Sequence, residues 1–333
     1  MPPSPGSCGA WEAEASSVAA IETEELSKDF LVGFWRPTPY RALDRLTLSV
    51  DEGEVFGFLG PNGAGKSTTL KLLMQLLYPT AGSARILGRP AGDIGIKRRI
   101  GFLPENPYFY DYLTAEELLG YFARLFGFRG AEVTTRVARV LDDVGIGAER
   151  RLRLRQYSKG MIQRVGIAQA MINTPDVVFL DEPMSGLDPL GRRHVRQLIL
   201  RLRDRGCTIF FSSHILSDAE SLCSRVAILA QGRLVASGRL SEILAFELHG
   251  WELVVDRLSD AQRDALAPRV RAITPFAHGR YTIELPPDVS PESLVRELSE
   301  SGAQVLSFNP LRETLEDYFV QRVGAAASRQ TGL

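Results

Sequence analysis

Eight consecutive residues, Gly60-Pro61-Asn62-Gly63-Ala64-Gly65-Lys66-Ser67, fit the pattern G-x-x-x-x-G-K-[ST] without a gap or a substitution. Glycine reaches backbone dihedrals closed to residues with a Cβ and lets the main chain come close to a ligand. A loop of this kind that opens a helix aims amide N–H groups, and the positive end of the helix dipole, at phosphate oxygens. Lys66 is then placed for the β- and γ-phosphates and the Ser67 hydroxyl for Mg2+, with Thr68 continuing the turn into the helix. A glycine-rich strand-to-helix turn with a chance lysine is the plain alternative. Spacing and flanks favour a cradle for a nucleoside triphosphate.

A second polar group ends an apolar run: residues 177–180 (Val-Val-Phe-Leu) lead into Asp181 and Glu182. A buried parallel strand would deliver both carboxylates at its C-terminal end, where ligands collect in α/β sheets. Asp181 is the candidate for holding Mg2+ directly or through water, and Glu182 for orienting or deprotonating an attacking water. The run 207–211 ends likewise in Ser212, Ser213 and His214, although a single histidine among four reads by itself as structural.

These residues need a scaffold, and the periodicity supplies one. Residues 55–59 read as a buried strand before the glycine loop, and 68–77 as an amphipathic helix after it. Upstream, order is expected from near Ile21, with a strand at 24–30. Residues 33–41, carrying Phe34, Trp35, Pro37, Pro39 and Tyr40, read as a loop. Leu43, Leu46, Leu48 and Val50 fall mostly on every second position, giving a half-buried strand. Further strands are expected at 82–87 and 100–103, a surface helix at 192–205, and a hairpin of 226–230 with 234–237. Between 114 and 144, Leu118, Leu119, Phe122, Leu125 and Phe126, then Val133, Val137, Val140 and Leu141, recur at helical spacing. Two helices inserted into a nucleotide-binding core result; ordinary packing accounts for them, and an arm that touches a partner is the functional alternative.

From about residue 247 the pattern changes to strand-like 253–255, 270–273, 281–285 and 305–308, with helix-like 291–301 and 311–320. A small α+β domain fits, and no motif in it carries chemistry. A regulatory ligand-binding module and a dimer-stabilising cap are both open. The expected organisation is a disordered tail at 1–20, a nucleotide-binding domain at 21–246 with its helical insertion at about 106–172, an accessory domain at 247–323 and a tail at 324–333.

Composition agrees with two soluble domains: 333 residues, 44% hydrophobic, with a formal net charge of -1 that gives no global pull toward nucleic acid. Cys8, Cys207 and Cys223 show neither metal spacing nor an even framework, which fits a reducing compartment. No apolar run approaches the roughly 18–20 residues of a membrane span, and the N-terminal stretch lacks the basic start and apolar run of a secretory signal. A cytoplasmic protein is expected, with any membrane work done through a partner.

Taken in order, these motifs resemble the nucleotide-binding subunits of ATP-binding-cassette (ABC) transporters over roughly residues 26–244. The resemblance implies a phosphate-loop NTPase cassette, a mixed-sheet core with an antiparallel β subdomain and a helical subdomain, binding ATP and Mg2+. It maps the adenine-stacking aromatic to Phe30, with Trp35 and Tyr40 as competitors. The loop that senses the γ-phosphate, normally through a glutamine, reads Gly101-Phe102-Leu103-Pro104-Glu105-Asn106. Glu105 there can ligate Mg2+ or water but cannot donate a hydrogen bond. The signature, commonly L-S-G-G-Q, reads Tyr157-Ser158-Lys159-Gly160-Met161. Ser158 and Gly160 keep the pattern at the start of a helix expected over 161–171. Ser185-Gly186-Leu187-Asp188 stands at the place of the loop that bridges two sites across a dimer, which brings Asp188 to the nucleotide, and His214 at the place of the switch histidine.

The mechanism so implied is a clamp of two copies, with Lys66, Glu182 and His214 catalytic, coupled to a separate membrane permease at the cytoplasmic face. The Glu105 loop, the Y-S-K-G-M signature and the C-terminal Arg312-Glu313-Thr314-Leu315-Glu316-Asp317 are similar to ABC-2-type exporter ATPases. A soluble ATPase acting on nucleic acid or translation is the alternative, through the basic run Arg150, Arg151, Arg153, Arg155 and Lys159. Near-neutral charge and a single cassette speak against it, so no nucleic acid partner is expected.

Overall fold

The computed structural model describes residues 19–33, 35–243, 248–277 and 279–312. The chain divides into two units, Met1–Ser237 and Gly238–Leu333. Both expected tails (Ala19 and Ala20 apart), the boundary at 246/247, Phe34, Cys8 and the helix expected beyond Arg312 lie outside the described residues.

In the first unit, β1 (Ala19–Val32) and β2 (Thr38–Asp51) pair antiparallel, and β4 (Ala81–Ile86) and β5 (Arg89–Pro90) extend them to the order β2-β1-β4-β5. Along β2, Leu46, Leu48 and Val50 point inward while Arg45, Thr47 and Ser49 are exposed, the alternation of a one-sided sheet. The second sheet has the order β10-β9-β3-β8-β7-β6. It is built from β3 (Val55–Leu59), β6 (Ile100–Leu103), β7 (Val177–Asp181), β8 (Thr208–Ser213), β9 (Arg225–Ala230) and β10 (Arg233–Arg239). Every residue of β3, β7 and β8 is buried, as in a parallel sheet covered on both faces. Phe210 on β8 stands 5.2 Å from Phe58 and 5.8 Å from Phe179, centroid to centroid, tying three strands together. Gln231 and Gly232, at φ 49° and 76°, make the tight turn from β9 to β10. The two sheets share one core, in which Leu26, Leu43 and Ile86 cluster with Phe56 and Phe58.

Among its described residues this unit has six α-helices. The first, α1 (Lys66–Leu73), starts two residues earlier than the periodicity predicts and ends sooner, with Gln75 at φ 56° just past its Met74 cap. A Thr114–Glu117 capping box starts α2 (Ala115–Leu125), which packs on α3 (Ala131–Asp143). Leu118 and Leu119 are buried with Val133, Val137, Val140 and Leu141, whereas Leu125, expected on the same stripe, is 63% exposed. These helices and α4 (Lys159–Met171) lie between β6 and β7 in the chain; α5 (Pro189–Asp204) follows β7, and α6 (Leu216–Glu220) follows β8.

The second unit opens with the short α7 (Leu240–Ile243) and continues through β11 (Leu248–Asp256), α8 (Asp260–Leu266), β12 (Ala272–Ala277), β13 (Arg280–Leu285), α9 (Pro291–Glu300) and β14 (Gln304–Arg312). With the order β12-β13-β11-β14, this is a split βαβ arrangement. Leu253, Val255, Ile283, Leu285, Leu294 and Leu298 form its core. Only Leu266 of α8 is buried, so the helix has no apolar stripe to announce it; the Ser259–Gln262 capping box is its signal. Leu311, expected to open a helix, is still strand, paired with Gly250.

Candidate functional site

Strand order brings the polar groups together. Because β8 lies between β3 and β7, Leu59 pairs with Ser213 and Asp181 with Ser212. The glycine loop therefore faces the Asp181–Glu182 corner across the end of β8. Gly63 and Gly65 adopt φ of 79° and 106°. A Cβ on Gly60 would stand 2.3 Å from the Leu229 carbonyl oxygen, and one on Gly65 2.6 Å from that of Ala42. A Cβ on Gly63 would meet nothing within 4 Å among the described residues beyond its chain neighbours, so the loop is wedged against backbone on one side and open on the other.

Lys66 is 6% exposed. Its Nζ donates to the Gly60 carbonyl at 2.7 Å and the Pro61 carbonyl at 3.3 Å, and lies 3.2 Å from Glu182 Oε1. The other Glu182 oxygen is 2.8 Å from His214 Nδ1 and accepts from the His214 backbone N–H at 3.4 Å. Lysine, glutamate and histidine thus form one continuous line of polar contacts through the Glu182 carboxylate. Glu182 has φ 49°, a conformation that costs about 1 kcal/mol or more in a residue with a Cβ. Ser212 holds it there: its Oγ accepts from the Glu182 N–H at 3.0 Å and donates to Asp181 Oδ1 at 2.6 Å. Ser67 Oγ donates to the same Asp181 oxygen at 3.2 Å.

That hydroxyl and carboxylate are hard oxygen donors side by side, which suits Mg2+. Among the described residues no cluster of three His, Cys, Asp or Glu could hold a metal ion by itself. An ion bound here would take its remaining ligands from phosphate oxygens and water, as Mg2+ does in phosphate sites.

The cleft over the loop measures about 620 Å³. Asn62, Gly63, Ala64, Gly65, Lys66, Ser67 and Thr68 line one wall, with Glu182, His214 and Ser185 opposite. Phe30 and Tyr40, which are cross-strand partners on β1 and β2, both reach it. Trp35 is not among the lining residues and is 90% exposed. Glu105 lines the cleft as well. Gly60 and Pro61 contribute the carbonyls that hold Lys66, and Asp181 is buried beneath the cleft surface.

Three expected residues stand apart from it. Ser158 Oγ accepts from the Met161 N–H at 3.2 Å and caps α4; Asp188 Oδ1 accepts from the Gly191 N–H at 2.8 Å and caps α5. Gly160 faces Leu187, in the turn before α5. The basic run meets acids: Arg151 lies 3.7 Å from Glu116 and Arg153 3.3 Å from Glu117, at the start of α2. Two buried residues escape sequence reading. One is Ser212, whose place at the close of a buried strand is visible in the sequence but carries no role there. The other is Gln163, whose Nε2 donates to the Pro183 carbonyl at 3.0 Å and ties α4 to the segment after Glu182.

A phosphate cradle, an acid pair and a histidine on this sheet, with an antiparallel sheet sharing its core and helices inserted between β6 and β7, define an ATP-hydrolysing cassette. Residues 43–185 match the ABC transporter domain family. An uncharacterized ABC transporter ATP-binding protein of Synechocystis sp. is 46% identical over 91% of this chain and 84% of its own. The daunorubicin/doxorubicin resistance ATP-binding protein of Streptomyces peucetius is 34% identical over 92% and 93%. A solved dimeric ATP-binding cassette in a post-hydrolysis state with ADP and Pi superposes with a TM-score of 0.61 at 26% identity, over 66% of this chain and 98% of that one. The chain belongs to the ABC transporter ATP-binding protein family and is an ATPase.

Proposed function

We propose that the chain is the ATPase subunit of an exporter and works as two copies joined to a separate membrane permease, peripheral to the cytoplasmic face of the cell membrane. The observation that carries the hydrolytic part is the continuous line Lys66–Glu182–His214 along the cleft. Phosphate oxygens entering the cleft compete with the Gly60 carbonyl and with Glu182 for Lys66. Glu182, still held by His214, is then left to orient and deprotonate water. Ser67 and Asp181, with Glu105 as a further candidate ligand, would hold Mg2+, which would supply charge neutralisation to the phosphates. Phe30 and Tyr40 offer faces on which adenine stacks.

Ser158, Gly160 and Asp188 cap and flank helices outside the cleft, which supports a site completed by a second copy. In this reading the Ser158 end of α4 in one subunit closes on the γ-phosphate held by the other. Hydrolysis removes the link and the pair opens, a two-state element biased by ligand. For the permease, the exposed Tyr108, Tyr110 and Tyr112 just after Glu105 make an aromatic surface of the kind partners cover. Outward transport is supported by the drug-resistance relative. The accessory domain is read as starting at 247.

The test is Glu182→Gln in the full chain. With ATP and Mg2+ it should elute from a sizing column at twice the monomer mass, and turn over about a hundredfold more slowly than wild type. Full turnover would remove Glu182 from its role; a nucleotide-loaded monomer would remove the paired site. Fractionation with ribosomes or DNA, and not with membranes carrying the permease, would overturn the transporter reading.

A further inference from the structure

Outside the cleft, a buried carboxylate stands between two parts of this machinery. Asp218, 2% exposed, lies on α6 four residues after His214. Its Oδ2 is 3.9 Å from Arg192 Nη1 and its Oδ1 is 3.7 Å from Arg196 Nη2. Both arginines belong to α5, one turn apart, on the helix that Asp188 caps. Arg192 Nε also donates to the Leu187 carbonyl at 3.4 Å, so one guanidinium touches both the 185–188 turn and Asp218.

Two like charges one turn apart on a helix repel, and a buried acid needs counter-charge. Each half of the cluster explains the other. The ion pairs are nevertheless longer than hydrogen bonds, and Arg196 Nε is buried with no hydrogen-bond partner among the described residues. Burial raises the Asp218 carboxyl above its ordinary range. The two arginines, and more weakly His214, pull it down, and Glu182 pushes it further up. Along the chain, α6 joins Asp218 to His214, whose Nδ1 is 2.8 Å from Glu182 Oε2. A network satisfied this incompletely is a poor stabiliser, so stability alone does not account for it.

We propose that Asp218 is a positioning residue: through Arg192 and Arg196 it ties the 185–188 turn and α5 to α6, and so sets His214 and Glu182 for attack by water. The inference rests on the reading above, in which the 185–188 turn meets a second copy. Closure at that turn passes along α5 to Asp218 and reaches His214 in the same chain. The contacts supply contiguity, and coupling is what the experiment measures.

Steady-state ATPase kinetics of the full chain decide it. Asp218→Asn should lower kcat about tenfold, leave KM for ATP within about twofold and leave the melting temperature within about 2 °C. Asp218→Glu, which restores the charge, should recover most of kcat, and Arg192→Gln with Arg196→Gln should repeat the loss. Wild-type kcat in Asp218→Asn, kcat and KM moving together, or no recovery by glutamate would overturn the proposal. Should Asp218→Asn not fold, the arginine pair decides alone: wild-type kcat there overturns it too. Lys66→Ala separates the two readings. Turnover surviving in Lys66→Ala sinks the assigned ATP site itself; turnover lost there but intact in Asp218→Asn sinks only the positioning role.

Discussion

Lys66 Nζ and Glu182 Oε1 lie 3.2 Å apart with each side chain under a tenth exposed, so the ammonium and the carboxylate are each other's counter-charge. Removing Lys66 leaves the Glu182 carboxylate with His214 as its remaining side-chain partner among the described residues and deprives the Gly60 carbonyl of its donor. Lys66→Ala should therefore lower affinity for a fluorescent ATP analogue and reduce turnover by about a hundredfold or more. A wild-type rate would refute the phosphate loop as assigned.

Ser212 is fully buried and serves both carboxylate residues at once. Ser212→Ala leaves the Glu182 N–H and an Asp181 oxygen without that partner, at a cost of about 1–3 kcal/mol. Urea unfolding should show the loss, and kcat should fall more than KM rises, because Glu182 is no longer held at its strained backbone angle. Unchanged stability would mean that the hydroxyl is replaceable.

At Gly60 the backbone of β9 leaves no room for a methyl group, since the Leu229 carbonyl oxygen would be 2.3 Å from it. A carbonyl in a sheet yields less readily than a side chain. Gly60→Ala is expected to destabilise the fold by about 1–3 kcal/mol and to weaken ATP binding, both readable in thermal melts with and without nucleotide.

The end of α3 is joined to the end of α5 by Arg205, whose two Nη atoms each donate to an Asp143 oxygen at 2.8 Å. Hydrogen bonding to Arg205 holds the Asp143 carboxyl below its ordinary 3.8. A value lower in the folded than in the unfolded chain means that the pair stabilises above pH 3.8, and that this is lost as pH falls through the lowered value. With Arg205 partly exposed, screening leaves about 0.5–1 kcal/mol. Asp143→Asn should be less stable than wild type by that amount at neutral pH, and the two should converge in urea unfolding as pH falls through the lowered value. A gap that persists in acid would assign the effect to packing.

Glu105 occupies the place of an amide in the resemblance and lines the cleft. Glu105→Gln should leave ATP affinity within about twofold and act on turnover with the permease present. Lost affinity, measured by the same analogue titration, would contradict its placement.

Much of this protein is determined locally. The glycine loop, the carboxylates at the end of 177–180 and the serine at the start of the helix after 157 are legible because neighbours in sequence set which atoms meet within a turn or a strand end. The two inserted helices were legible for the same reason, since a stripe at helical spacing buries one face wherever the helix lies. Only the tertiary structure decided that β8 runs between β3 and β7. That order is a matter of long-range pairing, and it places Ser212 between two carboxylates and the phosphate loop. The same holds for Gln163 against Pro183 and for Asp218 against Arg192 and Arg196: each is a polar residue at an ordinary helical position whose partner lies on another element. The register of β1 on β2 also chose between aromatics, bringing Tyr40 opposite Phe30 onto the cleft wall and leaving Trp35 outside. Sequence spacing decides what a segment can do alone; strand order and register, which no single segment contains, decide which segments do it together.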